Sequence, residues 1–187
     1  MKLLKIRKGW DFMKKILVVV DMQKDFVDGA LGTKEAADIV GNVVDKIRNF
    51  DGDIFVTYDT HFDNYMETSE GKKLPVLHCI KGTDGWKLNE HVQKALDEKG
   101  FTAIEKLTFG SVDLPARIKD NYDVNDISIE LIGLCTDICV VSNALLLKAN
   151  FPEMEISVDA SCCAGVTPDK HNAALETMSS CQINIIE

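Results

Sequence analysis

The sequence has no long apolar run. No stretch approaches the roughly 20 apolar residues of a membrane-spanning helix, and the basic N-terminal segment MKLLKIRKGWDFMKK has no apolar part of signal-peptide length. Positive charge is also scarce, because 21 Lys and Arg stand against 30 Asp and Glu and leave a formal net charge of −9. This balance argues against nucleic acid or an anionic membrane as the main partner. We therefore expect a cytoplasmic protein that is not exported.

The six cysteines do not form a recognisable zinc or disulfide framework. Cys135 and Cys139 are four residues apart, which is not CxxC spacing, and no second pair stands nearby. The chain is long, lacks an export signal, and most of its cysteines stand in or beside apolar runs. Reduced thiols are therefore expected, with Cys162 and Cys163 interpreted as packing residues.

Short apolar runs alternate with segments of helical period along most of the chain. The runs predict strands at 16–20, 53–59, 101–106, 127–134, 155–160 and 182–187, and the segments predict helices at about 36–49, 88–98, 114–122, 138–149 and 168–180. This alternation predicts an α/β fold with a doubly wound, six-stranded, mainly parallel sheet and helices on both faces.

The length of 187 residues suits one domain. Met13 resembles a more natural start than Met1, so residues 1–12 are predicted to be a leader and 13–187 a single domain. Residues 60–87 are longer than an ordinary connecting loop, which predicts a functional role for this segment.

Reactive side chains follow several of the predicted strands. Ligands of such sheets bind at the carboxyl ends of the strands, so these residues are expected on one rim: Asp21, Asp59, His61, Lys106, Cys135 and Cys139. Each also has a plainer interpretation, since Asp21 could cap a turn and Lys106 could be an ordinary solvated lysine. Their combination at neighbouring strand ends favours function.

Cys139 is the candidate nucleophile in the turn GLCTD that follows the fourth strand. We place it in the first turn of the next helix, where free N–H groups and the helix dipole favour a thiolate. A lysine and a carboxylate beside such a thiol complete what a cysteine nucleophile needs. The alternative is an inert buried cysteine, and Cys135 is interpreted as structural.

Three segments together resemble a known family. DMQKDF (21–26), a lysine on the third strand and GLCTDICV (133–140) resemble the isochorismatase-like cysteine hydrolases. DTH (59–61), with the later histidine of LPVLHCIKGTDGW (74–86), is similar to the nicotinamidase subgroup. The resemblance extends over nearly the whole chain from Met13 onward.

The resemblance implies a role for each matching residue. Asp21 would be the general base for the thiol of Cys139, and Lys106 would lie between them and lower the thiol pKa. Backbone N–H groups of Cys135 and Cys139 would form the oxyanion hole, with a cis peptide between Cys135 and Thr136. Phe26 would pack on the substrate ring. Trp86 and Phe109 could be further wall residues or plain core.

The resemblance also implies one divalent metal ion. Asp59 and His61 are two apart in an extended segment and point to one side, and His78 would complete the set. Family members take a fourth ligand from the intervening loop, where Glu70 is favoured over Glu67. Imidazole and carboxylate ligands suit zinc, with iron or manganese as alternatives. The plainer alternative is that both histidines are ordinary loop residues.

The function implied is a nicotinamidase, which hydrolyses nicotinamide to nicotinate and ammonia through a cysteine thioester in NAD salvage. A related cysteine amidase acting on another small amide or carbamoyl compound is the main alternative. Vinyl-ether hydrolases of the family do not depend on the cysteine, and a non-enzymatic binding module would have no need of the reactive residues. A small-molecule amide is the expected partner, and a homo-oligomer stays open.

Overall fold

Parallel strands and helices alternate along residues 13–187, the part of the chain that the computed structural model describes. The strands are β1 (Lys14–Val20), β2 (Asp53–Asp59), β3 (Thr102–Lys106), β4 (Ile127–Leu134), β5 (Glu155–Ala164) and β6 (Asn184–Ile186). The helices are α1 (Lys24–Val27), α2 (Lys34–Asp38), α3 (Val40–Asn49), α4 (Glu90–Lys99), α5 (Asp113–Asn121), α6 (Val141–Asn150) and α7 (Pro168–Ser180). The predicted leader, residues 1–12, lies outside the described residues.

All six strands pair in parallel in the order β3-β2-β1-β4-β5-β6. The predicted α/β fold with a six-stranded sheet is therefore confirmed. The chain runs outward from β1 to β3, then returns to place β4 on the other side of β1. In sheets of this order, the carboxyl ends of the two strands at the reversal flank a crevice that binds ligands. Here those strands are β1 and β4.

Helices cover both faces of the sheet because successive side chains of a buried strand point to opposite faces. In β1, Leu17 and Val19 pack into one apolar cluster, which contains buried residues of α3 and α4. Ile16, Val18 and Val20 pack into the second cluster, which contains buried residues of α5, α6 and α7. The near-continuous apolar sequence of β1 is what a strand covered on both faces requires.

Several element boundaries differ from the predicted ones. The helix predicted at 36–49 is two helices that meet at Ile39, and the first begins earlier because the Thr33 side chain accepts a hydrogen bond from the Ala36 N–H. The strand predicted at 155–160 continues to Ala164, since after a register shift Cys163 and Ala164 pair with the end of β4. The last strand is shorter than predicted, at Asn184–Ile186.

The long segment 60–87 folds back against the carboxyl ends of the strands. His61 and Ile80 form an isolated parallel bridge, and Gln23 and Leu88 an antiparallel one. A 3₁₀ turn at Tyr65–Glu67 buries the Tyr65 side chain completely. In residues 13–187, no helix has the length and apolar character that crossing a membrane would require.

Candidate active site

The predicted catalytic residues meet at the carboxyl ends of β1, β3 and β4. The Lys106 ammonium, at the end of β3, lies 2.7 Å from Asp21 Oδ2 and 3.4 Å from Cys139 Sγ. All three side chains are buried. Asp21 directly follows β1, and Cys139 lies five residues after Leu134, the last residue of β4. The fold thus brings together an acid, an ammonium and a thiol that are widely separated in sequence.

Asp21 is held by a strained backbone and by one hydrogen bond. Its φ of 48° lies in the left-handed region, which is uncommon for a residue with a side chain. Thr57 Oγ1, on the adjacent strand β2, donates to Asp21 Oδ1 over 2.7 Å. Such strain persists where surrounding contacts overdetermine the conformation, and it is concentrated at functional sites. The other oxygen, Oδ2, faces Lys106.

The electrostatics of the three groups favour a protonated thiol before substrate arrives. Burial raises the pKa of the Cys139 thiol, and Asp21 raises it further, while Lys106 lowers it. Lys106 thus acts in the expected direction, but burial and the carboxylate outweigh it. Burial alone would lower the pKa of Lys106, yet Asp21, Cys139 and Asp59 together raise it, so Lys106 stays an ammonium. Burial raises the pKa of Asp21, with Lys106 opposing.

The turn that carries Cys139 begins directly at the end of β4. The cis peptide joins Leu134 and Cys135, one bond earlier than the predicted one between Cys135 and Thr136. The Cys135 carbonyl already accepts hydrogen bonds from the N–H groups of Ile138 and Val140, so the bond that follows it belongs to the helical turn. This turn, Thr136–Val140, is π-helical and precedes α6. Cys139 therefore lies just before the regular helix.

The predicted metal ligands also meet. Asp59 Oδ2 lies 2.9 Å from His61 Nε2 and 3.7 Å from His78 Nε2. Glu70 Oε1 lies 3.7 Å and 3.6 Å from the same two nitrogens. Ligand atoms about 2.1 Å from one tetrahedral ion stand about 3.4 Å apart, so these separations fit a common ion. Glu67 is exposed in the 3₁₀ turn, which favours Glu70.

Both imidazoles are oriented for an ion. His78 Nδ1 is 2.8 Å from the Val76 carbonyl, which holds the proton on Nδ1 and leaves Nε2 as the electron donor. His61 Nε2 is buried and makes no hydrogen bond within residues 13–187, although the Asp59 carboxylate is 2.9 Å away. The residues present therefore fit a divalent ion, and Asp59, His61 and His78 form a compact donor set.

A cavity of about 700 Å³ connects the two groups of residues. Cys139 and Cys135 line one part and the ligand set lines another. Phe26 and Phe109 both contribute to the wall of this cavity. Trp86 instead packs against Tyr58, with ring centroids 5.4 Å apart.

Residues 15–187 match the isochorismatase domain model. The chain belongs to the isochorismatase family. This confirms the resemblance drawn from the motifs. An isochorismatase family protein of Bacillus subtilis is 31% identical over 146 residues, which cover 71% of this chain and 78% of that protein.

Two solved structures of isochorismatase-like enzymes share the fold closely. The nicotinamidase/pyrazinamidase of Bacillus subtilis is 25% identical, with a TM-score of 0.81 over 94% of this chain and 100% of that one. The pyrazinamidase of Pyrococcus horikoshii in complex with zinc is 26% identical, with a TM-score of 0.75 over 93% of this chain and 99% of that one.

Two further residues of the DMQKDF motif organise this isochorismatase-family site, and sequence reasoning did not single them out. Gln23 accepts from the Asp59 N–H over 2.8 Å and donates to the carbonyls of Asp59 and Trp86, each over 2.9 Å. Asp25 Oδ2 accepts from the Cys79 N–H over 2.7 Å, next to His78. A signal for them was present, because Asp21, Gln23 and Asp25 are polar residues spaced two apart after a buried strand. Their long-range partners could not be read from spacing.

Proposed function

We propose that this protein is a nicotinamidase that hydrolyses nicotinamide to nicotinate and ammonia through a thioester on Cys139, in cytoplasmic NAD salvage. The observation that carries the proposal is one cavity bordered by Cys139, which contacts Lys106, and by the set Asp59, His61 and His78. Support also comes from the two solved relatives, which are a nicotinamidase/pyrazinamidase and a zinc-bound pyrazinamidase.

The first half of the reaction forms the thioester. Asp21 accepts the thiol proton while Cys139 Sγ bonds to the amide carbonyl carbon, and the carbonyl oxygen takes up the electron pair. Lys106 stabilises the negative charge that passes between the thiol and the carboxylate. Backbone N–H groups of Cys135 and Cys139 are proposed to bind the oxyanion. When the oxyanion collapses, the C–N bond breaks, the nitrogen takes the proton from Asp21, and ammonia leaves.

The second half returns the thiol. Asp21, again a carboxylate, takes a proton from a water molecule whose oxygen bonds to the thioester carbonyl carbon. The C–S bond then breaks, and the proton returns from Asp21 to Cys139 Sγ. The sum is one amide and one water converted to one carboxylic acid and one ammonia. A protonated thiol before the attack agrees with this scheme. Asp21 is then a carboxylate that can accept the thiol proton, and it carries this proton until the nitrogen takes it.

The protein groups around the cavity hold the substrate. Asp59, His61, His78 and Glu70 would hold a divalent ion, proposed to be zinc with iron or manganese as alternatives, and this ion would supply a Lewis acid for the pyridine nitrogen. Phe26 lies against His78, with ring centroids 5.5 Å apart, and offers an apolar face for the pyridine ring. Binding at the ring nitrogen and packing on the ring would place the carboxamide at Cys139.

The test is ammonia release from a panel of small amides and carbamoyl compounds that includes nicotinamide and pyrazinamide. Nicotinamide is expected to have the highest kcat/KM. Cys139→Ala should abolish the activity, while Cys135→Ala, a matched change in the same turn that leaves the backbone N–H in place, should lose much less. A preference for an aliphatic or carbamoyl substrate would move the assignment to another amidase, and full activity of Cys139→Ala would remove the cysteine mechanism.

A further inference from the structure

Two side-chain hydrogen bonds attach the turn that carries Cys139 to the start of α7 and to the segment just before it. Thr136 Oγ1 and His171 Nδ1 share a hydrogen bond over 2.8 Å. Asp137 Oδ1 accepts from the Val166 N–H over 2.9 Å. Thr136 is fully buried, and it directly follows Cys135, whose backbone N–H is proposed to bind the oxyanion.

The attachment is short and closely packed. His171 lies in the first turn of α7, where its own N–H donates to the Thr167 carbonyl over 2.9 Å. Thr167 caps this helix through its side chain, which accepts from the Lys170 N–H. Gly165 allows the close approach of these segments, because a Cβ at this position would stand 2.8 Å from the backbone nitrogen of His171 and 2.9 Å from Asp137 Oδ1. The backbone of His171 is therefore held by the helix end, and its imidazole meets Thr136.

We propose that His171 is a positioning residue, which fixes the oxyanion-binding backbone of the Cys135–Cys139 turn through its hydrogen bond to Thr136. This inference rests on the proposed function. By this inference, two different sets of residues hold the thiol and the oxyanion-binding backbone. Asp21 and Lys106, on β1 and β3, set the proton equilibrium of the thiol, while His171 on α7 acts on the turn and touches neither substrate nor thiol.

The surroundings of His171 suit a neutral imidazole. Burial lowers the pKa of His171, and Asp137, the acidic group that faces it from the turn, opposes this shift. A neutral ring shares the Thr136 bond without adding a charge beside the nucleophile. Displacement of an oriented group by about 1 Å can cost about 100-fold in rate, so loss of this bond should be visible in turnover.

The test compares His171→Ala with His171→Asn, whose side-chain amide places a polar atom near the position of Nδ1. His171→Ala should lower kcat about tenfold or more while KM stays within about twofold, because ground-state binding is unchanged. His171→Asn should recover most of the loss. The rate of Cys139 alkylation by iodoacetamide should stay within about twofold in both variants, because thiol activation is separate. His91→Ala, a change of an exposed histidine in the first turn of α4, is the control and should have no effect.

A double-mutant cycle with Thr136→Val tests whether His171 acts through its hydrogen bond to Thr136. Thr136→Val alone should reproduce the loss of kcat, and His171→Ala should add little in that background, because both changes remove the same hydrogen bond. Additive losses would contradict the inference, and so would an unchanged kcat in His171→Ala. A parallel fall of kcat and alkylation rate would indicate general loosening and would also overturn it. If His171→Ala does not fold, Thr136→Val and His171→Asn carry the same comparison.

Affinity for a small aromatic aldehyde separates this inference from the proposed function. The Cys139 thiol adds across the C=O bond of an aldehyde and forms a hemithioacetal. The oxygen of this adduct occupies the proposed oxyanion hole, and no amide is cleaved. His171→Ala should weaken aldehyde binding about tenfold or more. A wild-type protein that binds the aldehyde but does not hydrolyse nicotinamide would contradict the proposed substrate. The comparison of aldehyde affinities would still test the positioning role of His171. Equal aldehyde affinity in the two proteins would overturn the positioning role.

Discussion

Lys106 connects the two groups of functional side chains at the residue scale. Its ammonium contacts Asp21 and Cys139 on one side and lies 3.2 Å from Asp59 Oδ1 on the other. Two carboxylates could not share this buried space without a cation between them. The same charge lowers the thiol pKa against the effect of burial. Lys106 therefore serves both folding of the site and its proposed chemistry.

Removal of either partner of the thiol should slow turnover, and removal of Lys106 should also lower stability, because it leaves Asp21 and Asp59 without a cation between them. Asp21→Asn is a matched change because asparagine tolerates a positive φ better than most residues. It should lower kcat by about 100-fold or more, as expected for loss of a general base. Lys106→Met, which keeps the length of the side chain, should lower kcat to a similar extent. Steady-state rates, with circular dichroism as the check of folding, test both. Near wild-type turnover in either variant would remove that residue from the mechanism.

The residue scale shows where sequence reasoning succeeded and where it stopped. Strand-end position predicted that Asp21, Lys106 and Cys139 would meet, because the carboxyl ends of parallel strands share one edge. It could not weigh burial against charge, so the elevated thiol pKa was not expected. The partners of Gln23 depend on how residues 60–87 fold back, which no local pattern encodes.

At the scale of elements, a charged side chain joins α3 to the sheet. Lys46 Nζ lies 2.7 Å from Glu130 Oε1 on β4 and 2.6 Å from Asp159 Oδ2 on β5. Burial would raise the pKa of Asp159, but hydrogen bonds from Lys46 and Ser161 hold it below its usual value. One ammonium of α3 thus pairs with carboxylates on two neighbouring strands.

Lys46→Met should destabilise the protein by about 2 kcal/mol at pH 7. This is less than the 3–5 kcal/mol for breaking a fully buried ion pair, because the Lys46 side chain is 27% exposed. The pKa of Asp159 is lowered in the folded state, so its contribution is present above the unfolded pKa of about 4 and is lost as pH falls through the folded pKa. The difference between wild type and variant should therefore shrink below about pH 4.

Urea midpoints at pH 7 and at the acid end of the folded range measure this effect. Lys34→Met is the matched control, since Lys34 pairs with Asp38 on the exposed face of α2 and should contribute less than about 1 kcal/mol. A difference for Lys46→Met that does not change with pH would contradict the electrostatic account and indicate lost packing of the side-chain stem.

Most elements could be predicted from hydrophobic periodicity, because buried parallel strands are short apolar runs and covering helices repeat every three to four residues. The departures have tertiary causes. β5 runs past its predicted end because residues after a bulge still find partners on β4. The turn Thr136–Val140 is π-helical and not part of a regular helix, which the apolar sequence around Cys139 does not reveal.

At the scale of the whole molecule, the strand order places the site. β1 and β4 are neighbours in the sheet although 106 residues lie between Val20 and Ile127, and the reversal of strand order lies between these two strands. Asp21 and the Cys139 turn follow these two strands. Alternation of strands and helices predicted the fold class, while the strand order itself depends on which hydrophobic faces pack together and was seen in the structure alone.

The proposed metal site joins the end of β2 to the long loop, so it should form only in the folded chain. The purified protein should contain about one divalent ion per chain, as one such ligand set implies. Chelation should raise KM for nicotinamide clearly and lower the melting temperature only slightly, because the ion is proposed to place the substrate. His61→Ala should reproduce this result and leave Cys139 alkylation largely unchanged, with His91→Ala as the exposed control. Full nicotinamidase activity in a metal-free protein would contradict the assignment.

The central claim is that Cys139 carries the acyl group of the amide during turnover. Peptide mass mapping of protein quenched in acid while it hydrolyses nicotinamide tests it most directly. The account predicts a nicotinoyl group on the peptide that contains Cys139, which disappears when substrate is exhausted and is absent from Cys139→Ala. Ammonia release by Cys139→Ala at the wild-type rate, or an acyl group on a different residue, would contradict it.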